Sequence, residues 1–130
     1  VRDLDRSERE EAGFFVEPDL LTTDVADILK DDDTQIVIEL MGGEQPAYEY
    51  ISEALKAGKH VVTANKEIMA KHGPEVLRLA AENGVGVAFE ATVGGGTPII
   101  SPLIHDLAAN ELTAVNAIIN GTTNYMLTRI

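Results

Sequence analysis

The chain has 130 residues, enough for one modest core, and its 22 acidic against 10 basic side chains give a net charge of −12. That balance opposes nucleic-acid binding, because no basic patch is available to displace counterions from phosphates. The sequence has no apolar run of membrane-spanning length and no charged-then-apolar segment of the signal-peptide kind; having no cysteine, it excludes disulfides, thiolate metal sites and cysteine nucleophiles and fits a reducing compartment.

Val1 to Leu4 reads as the end of a strand whose beginning lies outside the chain. Residues 7–19 are polar and read as loop with a short helix. The acidic runs here and at Asp31–Asp33 read as solvated faces. Thr23 or Asp24 can cap a short helix carrying Val25, Ile28 and Leu29 on one side, which Asp31–Asp33 end.

Gln35 to Leu40 is a β-branched run, expected to be a strand covered on both faces. Gly42 and Gly43 break it. Pro46 suits the first turn of a helix with Ala47, Ile51, Ala54 and Leu55 inward, closed by Gly58. His60 to Thr63 is the next strand, running into a polar turn with Asn65 and Lys66. Pro74 is expected to open another helix, with Val76, Leu77, Ala80 and Ala81 inward and Gly84 as its stop. "GVGVAFEA" is then a strand ending at Glu90. Three glycines, Gly94 to Gly96, follow, and Thr97 and Pro98 lead into a helix with Ile99, Ile100, Leu103, Ile104 and Leu107 inward. Leu112 to Asn120 reads as a strand and the last ten residues as a turn and a helix.

Strands alternating with short helical crossovers predict a partial Rossmann-type, doubly wound parallel sheet in the α/β class. Ligands of such sheets lie beyond the carboxyl ends of the strands. Gly42-Gly43, Thr63 to Lys66 and Glu90 to Thr97 all fall there. Lys66 can present an ammonium to an anionic oxygen, and as a cation at a helix start it opposes the macrodipole. Glu90 beside glycine carbonyls can bind a hard cation, or serve as a capping or salt-bridged acid. The triple glycine lacks the spacing of a dinucleotide fingerprint and is not a phosphate-binding P-loop. His60, His72 and His105 lack metal-ligand spacing. Residues 120–125, "NGTTNY", are dense in short donors and acceptors, and the backbone N–H groups of a helix starting there can hold a carboxylate. If the first strand is the second strand of a nucleotide fold, an acid there would bond the ribose hydroxyls and an arginine would accept a 2′-phosphate; Arg2 next to Asp3 leaves both open.

"HVVTANK", "FEATVGGGTPII" and "NGTTNY", in this order and spacing, closely resemble homoserine dehydrogenase, as do "VRDLDR", "LLTTD" and "IVIELMGG". The resemblance covers essentially the whole chain. It implies an internal fragment: residues 1–92 as the C-terminal part of an NAD(P)-binding domain, and residues 93–130 as the hinge and first part of an α+β substrate and dimerisation domain. The glycine-rich phosphate turn would precede the chain, and an acidic substrate segment with a second essential lysine would follow it.

The resemblance further implies hydride transfer between L-homoserine and L-aspartate 4-semialdehyde with NADP or NAD. This serves threonine, methionine and isoleucine biosynthesis in a cytoplasmic enzyme that is a homodimer at full length. By the same resemblance Lys66 lies near nicotinamide and substrate, and Arg2, Gly42 and Gly43 near the cofactor. Gly121 and Thr122 match substrate-contacting positions. Glu90, Val93, Gly95 and Thr97 match positions whose oxygens, mostly backbone carbonyls, hold a sodium ion. The competing reading is a non-catalytic nucleotide-fold module for regulation or dimerisation.

Overall fold

The computed structural model describes residues 20–116 and Thr128. Arg2, Asp3, Gly121 and Thr122, the first strand and the last turn and helix lie outside the described residues. A short helix α1 (Val25–Lys30) is capped by Asp24, whose carboxylate accepts the Ala26 N–H. Strand β1 (Ile36–Glu39) follows, then α2 (Ala47–Lys56), β2 (His60–Thr63), α3 (Lys66–Glu82) and β3 (Val87–Ala88). A 3₁₀ turn at Glu90–Thr92 and one turn of π-helix at Pro102–Asp106 follow among the described residues.

The three strands are all parallel, in the order β1-β2-β3. Ile36 pairs with His60 and Glu39 with Thr63, while Val61 pairs with Val87. Each crossover returns the chain to the same end of the sheet, so the three carboxyl ends share one edge. This is the parallel α/β sheet of the Rossmann type that the alternation predicts.

The core lies between one sheet face and the two long helices. Ala47, Ile51, Ala54 and Leu55 of α2, Val61 of β2, and Ile68, Val76 and Ala80 of α3 are buried together. Removing a large aliphatic side chain of this kind from water is worth roughly 1.5–3 kcal/mol each. Gly58 and Gly84, at φ of 75° and 68°, take the left-handed conformation that ends α2 and α3.

Five expectations are corrected. β1 is not covered on both faces: Ile36 is 57% and Ile38 64% exposed, because α2 and α3 lie on the face of Glu39, Val61 and Thr63. Pro74 does not open a helix. It sits inside α3, which starts eight residues earlier at Lys66, with Asn65 supplying the cap. β3 ends at Ala88, so Glu90 stands in the following turn and not at a strand end. The segment after Pro98 has no buried face: Ile104 is 55% exposed and no residue of its π turn is buried. Residues 112–116 carry no strand, and the rest of that expected strand is outside the described residues.

Candidate active site

Three loops leave the carboxyl edge of the sheet. The first, after β1, holds Gly42 and Gly43 at φ of 61° and 75°. These left-handed conformations require glycine. A Cβ placed on either would have no atom within 4 Å, so the backbone is open to a ligand. That fits the close approach a dinucleotide needs at this edge of a parallel sheet.

The second loop, after β2, is the start of α3. Asn65 Oδ1 accepts the Ile68 N–H at 3.2 Å, and Asn65 is buried. Lys66, the next residue, is exposed. A lysine in a first helical turn gains nothing from the macrodipole, so its ammonium is available for a ligand anion. Asn65 Nδ2 also donates to the Gly43 carbonyl at 2.7 Å. The first two loops are therefore bound to one another.

The third loop carries Glu90, Val93, Gly95 and Thr97. The Glu90 carboxylate accepts the backbone N–H groups of Ile99, Ile100 and Ser101, those of Ile100 and Ser101 at 2.8 Å each. These bonds, led by that from Ile99, hold its pKa below the ordinary glutamate value. The side chain is thus the capping acid of the two alternatives open in the sequence. It pins the start of the segment at Ile99 back onto the turn after β3.

A cation in this loop would have to use main-chain oxygens. The Glu90 carbonyl accepts from Val93 N–H at 3.2 Å, while the carbonyls of Val93, Gly95 and Thr97 take no backbone donor among the described residues. Carbonyl oxygen is the donor type that a hard cation takes. Gly95 and Gly96, at φ of 36° and 88°, turn the backbone within this loop. A Cβ on Gly94 would stand 2.6 Å from the Thr97 carbonyl oxygen, so a larger residue there requires that carbonyl to move. Among the described residues no group of three or more His, Asp or Glu side chains is placed to hold a metal.

The sequence reading missed a second tether on the first loop. Glu44 accepts from Lys71 Nζ at 2.5 Å and meets His72 Nε2 at 2.8 Å, and the His72 ring stacks on Tyr48 at 4.2 Å. The Lys71 bond, then the His72 bond, hold the Glu44 pKa below its ordinary value. His60 Nδ1 accepts the Gly86 N–H, a packing role as expected. Asn65 was legible as a cap, since it directly precedes Lys66, read as lying at a helix start; opening a separate helix at Pro74 hid that the two are one helix.

A parallel sheet with an open glycine backbone at its carboxyl edge and a lysine on the adjoining helix defines a nucleotide-binding α/β domain. Comparison with known proteins makes that particular. The family model for the homoserine dehydrogenase NAD-binding domain matches residues 1–90, and that for homoserine dehydrogenase matches residues 98–130. The chain belongs to the homoserine dehydrogenase family.

It is 46% identical over its whole length to the Synechocystis homoserine dehydrogenase, of which it covers 29%. It is 46% identical over 112 residues to that of Bacillus subtilis, covering 26% of it. The crystal structure of a homoserine dehydrogenase from Thiobacillus denitrificans superimposes with a TM-score of 0.85 at 44% identity, over 99% of this chain and 30% of that one. The chain thus spans less than a third of the length of these relatives.

Proposed function

We propose that these residues are the greater part of the nucleotide domain, and the beginning of the catalytic domain, of an enzyme that interconverts L-homoserine and L-aspartate 4-semialdehyde with NADP or NAD. The carrying observation is the shared edge: Gly42-Gly43, Lys66 and the Glu90–Thr97 loop leave adjacent carboxyl ends of one parallel sheet. Family membership across both matched regions supports the substrate pair. We further propose residues 1–92 and 93–130 as the two parts, a homodimer at full length, a cytoplasmic setting, and a role in threonine, methionine and isoleucine biosynthesis.

A nicotinamide bound at this edge would supply hydride transfer between the aldehyde carbon and the alcohol. Reduction there would build negative charge on the carbonyl oxygen. An ammonium held near that oxygen stabilises the charge, the role assigned to Lys66. Gly42, Gly43 and Arg2 border the cofactor. Gly121 and Thr122 hold the substrate. At the positions Glu90, Val93, Gly95 and Thr97, the carbonyls of the last three would hold a sodium ion that stiffens the loop between the two parts.

The test is a spectrophotometric assay of the full-length protein containing this chain, with homoserine and each nicotinamide cofactor. Lys66→Ala is expected to lower kcat by about 10²–10³-fold, the usual effect of losing one transition-state charge partner. The 130 residues alone are expected to show little or no turnover. An inactive full-length protein, or a Lys66→Ala variant as active as the parent, would refute the reading.

A further inference from the structure

A chain of buried polar groups runs beneath the ligand edge, and the chemistry above makes no use of it. Glu39, the last residue of β1, is 5% exposed. One of its carboxylate oxygens accepts the Met41 N–H at 2.7 Å and the other the Thr63 hydroxyl at 2.6 Å. Thr63 Oγ1 in turn accepts the Asn65 N–H at 2.9 Å. Asn65 then closes the chain with both ends of its amide: Oδ1 caps α3 at Ile68 and Nδ2 donates to Gly43. A buried carboxylate is costly unless its oxygens are bonded, and here each oxygen has a donor.

We propose that Asn65 is a positioning residue: it fixes the Gly42-Gly43 loop against the first turn of α3, and so sets the cofactor-facing backbone relative to Lys66, with Glu39 and Thr63 as its buried support. The proposal rests on the reading that Gly42, Gly43 and Lys66 face the cofactor. The choice of side chain carries it. Asp and Ser cap helices about as well as Asn. Among the strong cap residues only Asn carries its donor and its acceptor on two separate atoms, so one caps the helix while the other reaches a carbonyl of a different loop. The Glu44 contacts to Lys71 and His72 fasten the same loop to the next turn of α3, so the loop is held at two heights on one helix.

Asn65→Asp and Asn65→Ser in the full-length protein separate the two bonds: both keep the cap, while the aspartate has no donor and the serine, with one short hydroxyl, has no second arm to replace the amide N–H to Gly43. Amide exchange at Met41 to Gln45 is expected to rise in both, while the Ile68 amide stays protected. The KM for NADPH or NADH is expected to rise roughly three- to tenfold, as for loss of one neutral hydrogen bond, with a smaller change in kcat. Should the aspartate fail to fold, the serine variant carries the same test. Unchanged loop exchange in the folded variant, or loosening of α3 in step with the loop, would overturn the proposal by reducing Asn65 to a cap. If the parent protein does not use a nicotinamide cofactor while the loop still loosens, the tie stands and the functional reading falls.

Discussion

At the scale of single residues, Glu90 is the clearest case of one side chain deciding local structure. Its carboxylate gathers three backbone N–H groups from the segment nine to eleven residues ahead. The sequence shows an acid beside a glycine loop and leaves its partner open between a metal and a helix start. Only the folded loop brings Ile99 to Ser101 within reach. Because the folded pKa is depressed, this contribution is complete above the unfolded value of about 4.3 and is lost as pH falls through the folded one. Glu90→Gln is therefore expected to lower the melting temperature at neutral pH, with the difference from the parent closing as the pH falls below the ordinary glutamate value. Thermal melts across that range check it; a gap that persists in acid would show that the charge is not what the cap requires.

At the scale of elements, α2 was legible and α3 was not. Ala47, Ile51, Ala54 and Leu55 repeat at helical spacing, Pro46 precedes them and Gly58 follows, so pattern and punctuation agree. In α3 they disagree. Pro74 normally marks a first turn, yet helix continues on both sides of it from Lys66 to Glu82. Packing overrides the local preference: Ile68 and Val76, on either side of the proline, are both fully buried against α2 and the sheet. A helix-interior proline costs about 3 kcal/mol relative to alanine, a net figure that already includes its stiffening of the unfolded chain. Pro74→Ala is thus expected to stabilise the fold by up to about 3 kcal/mol, read as a higher urea midpoint at unchanged m-value. A lower midpoint would mean that the proline ring itself is needed for packing.

At the scale of the whole molecule, the sheet is one-sided among the described residues. Ile36, Ile38, Leu40 and Val62 form an apolar stripe, with Leu40 72% exposed. Surfaces of this kind favour association over solubility. The 130-residue chain by itself is expected to self-associate at tens of micromolar, and Ile38→Lys to reduce this without loss of helix content. Sedimentation velocity and circular dichroism decide it, and a monomeric parent would remove the sheet face as the cause. Family membership rests on the whole chain in the same way, since the matched regions lie on both sides of the Glu90–Thr97 loop.

The sequence by itself determined the parallel α/β class, the order of strands and helices from Val25 to Ala88, and the three loops at one edge. Those follow from hydrophobic period, glycine and proline placement and the right-handed crossover, all of which are local or topological rules. It also carried the family motifs. The tertiary structure alone decided which polar groups meet: Glu39 with Thr63 across paired strand ends, Asn65 with Gly43, Glu44 with His72, and Glu90 with the backbone at Ile99. Such pairs join residues 9 to 28 positions apart, at distances set by strand register and helix packing. No period or motif in a single sequence encodes them, because each bond depends on where two separate elements come to rest.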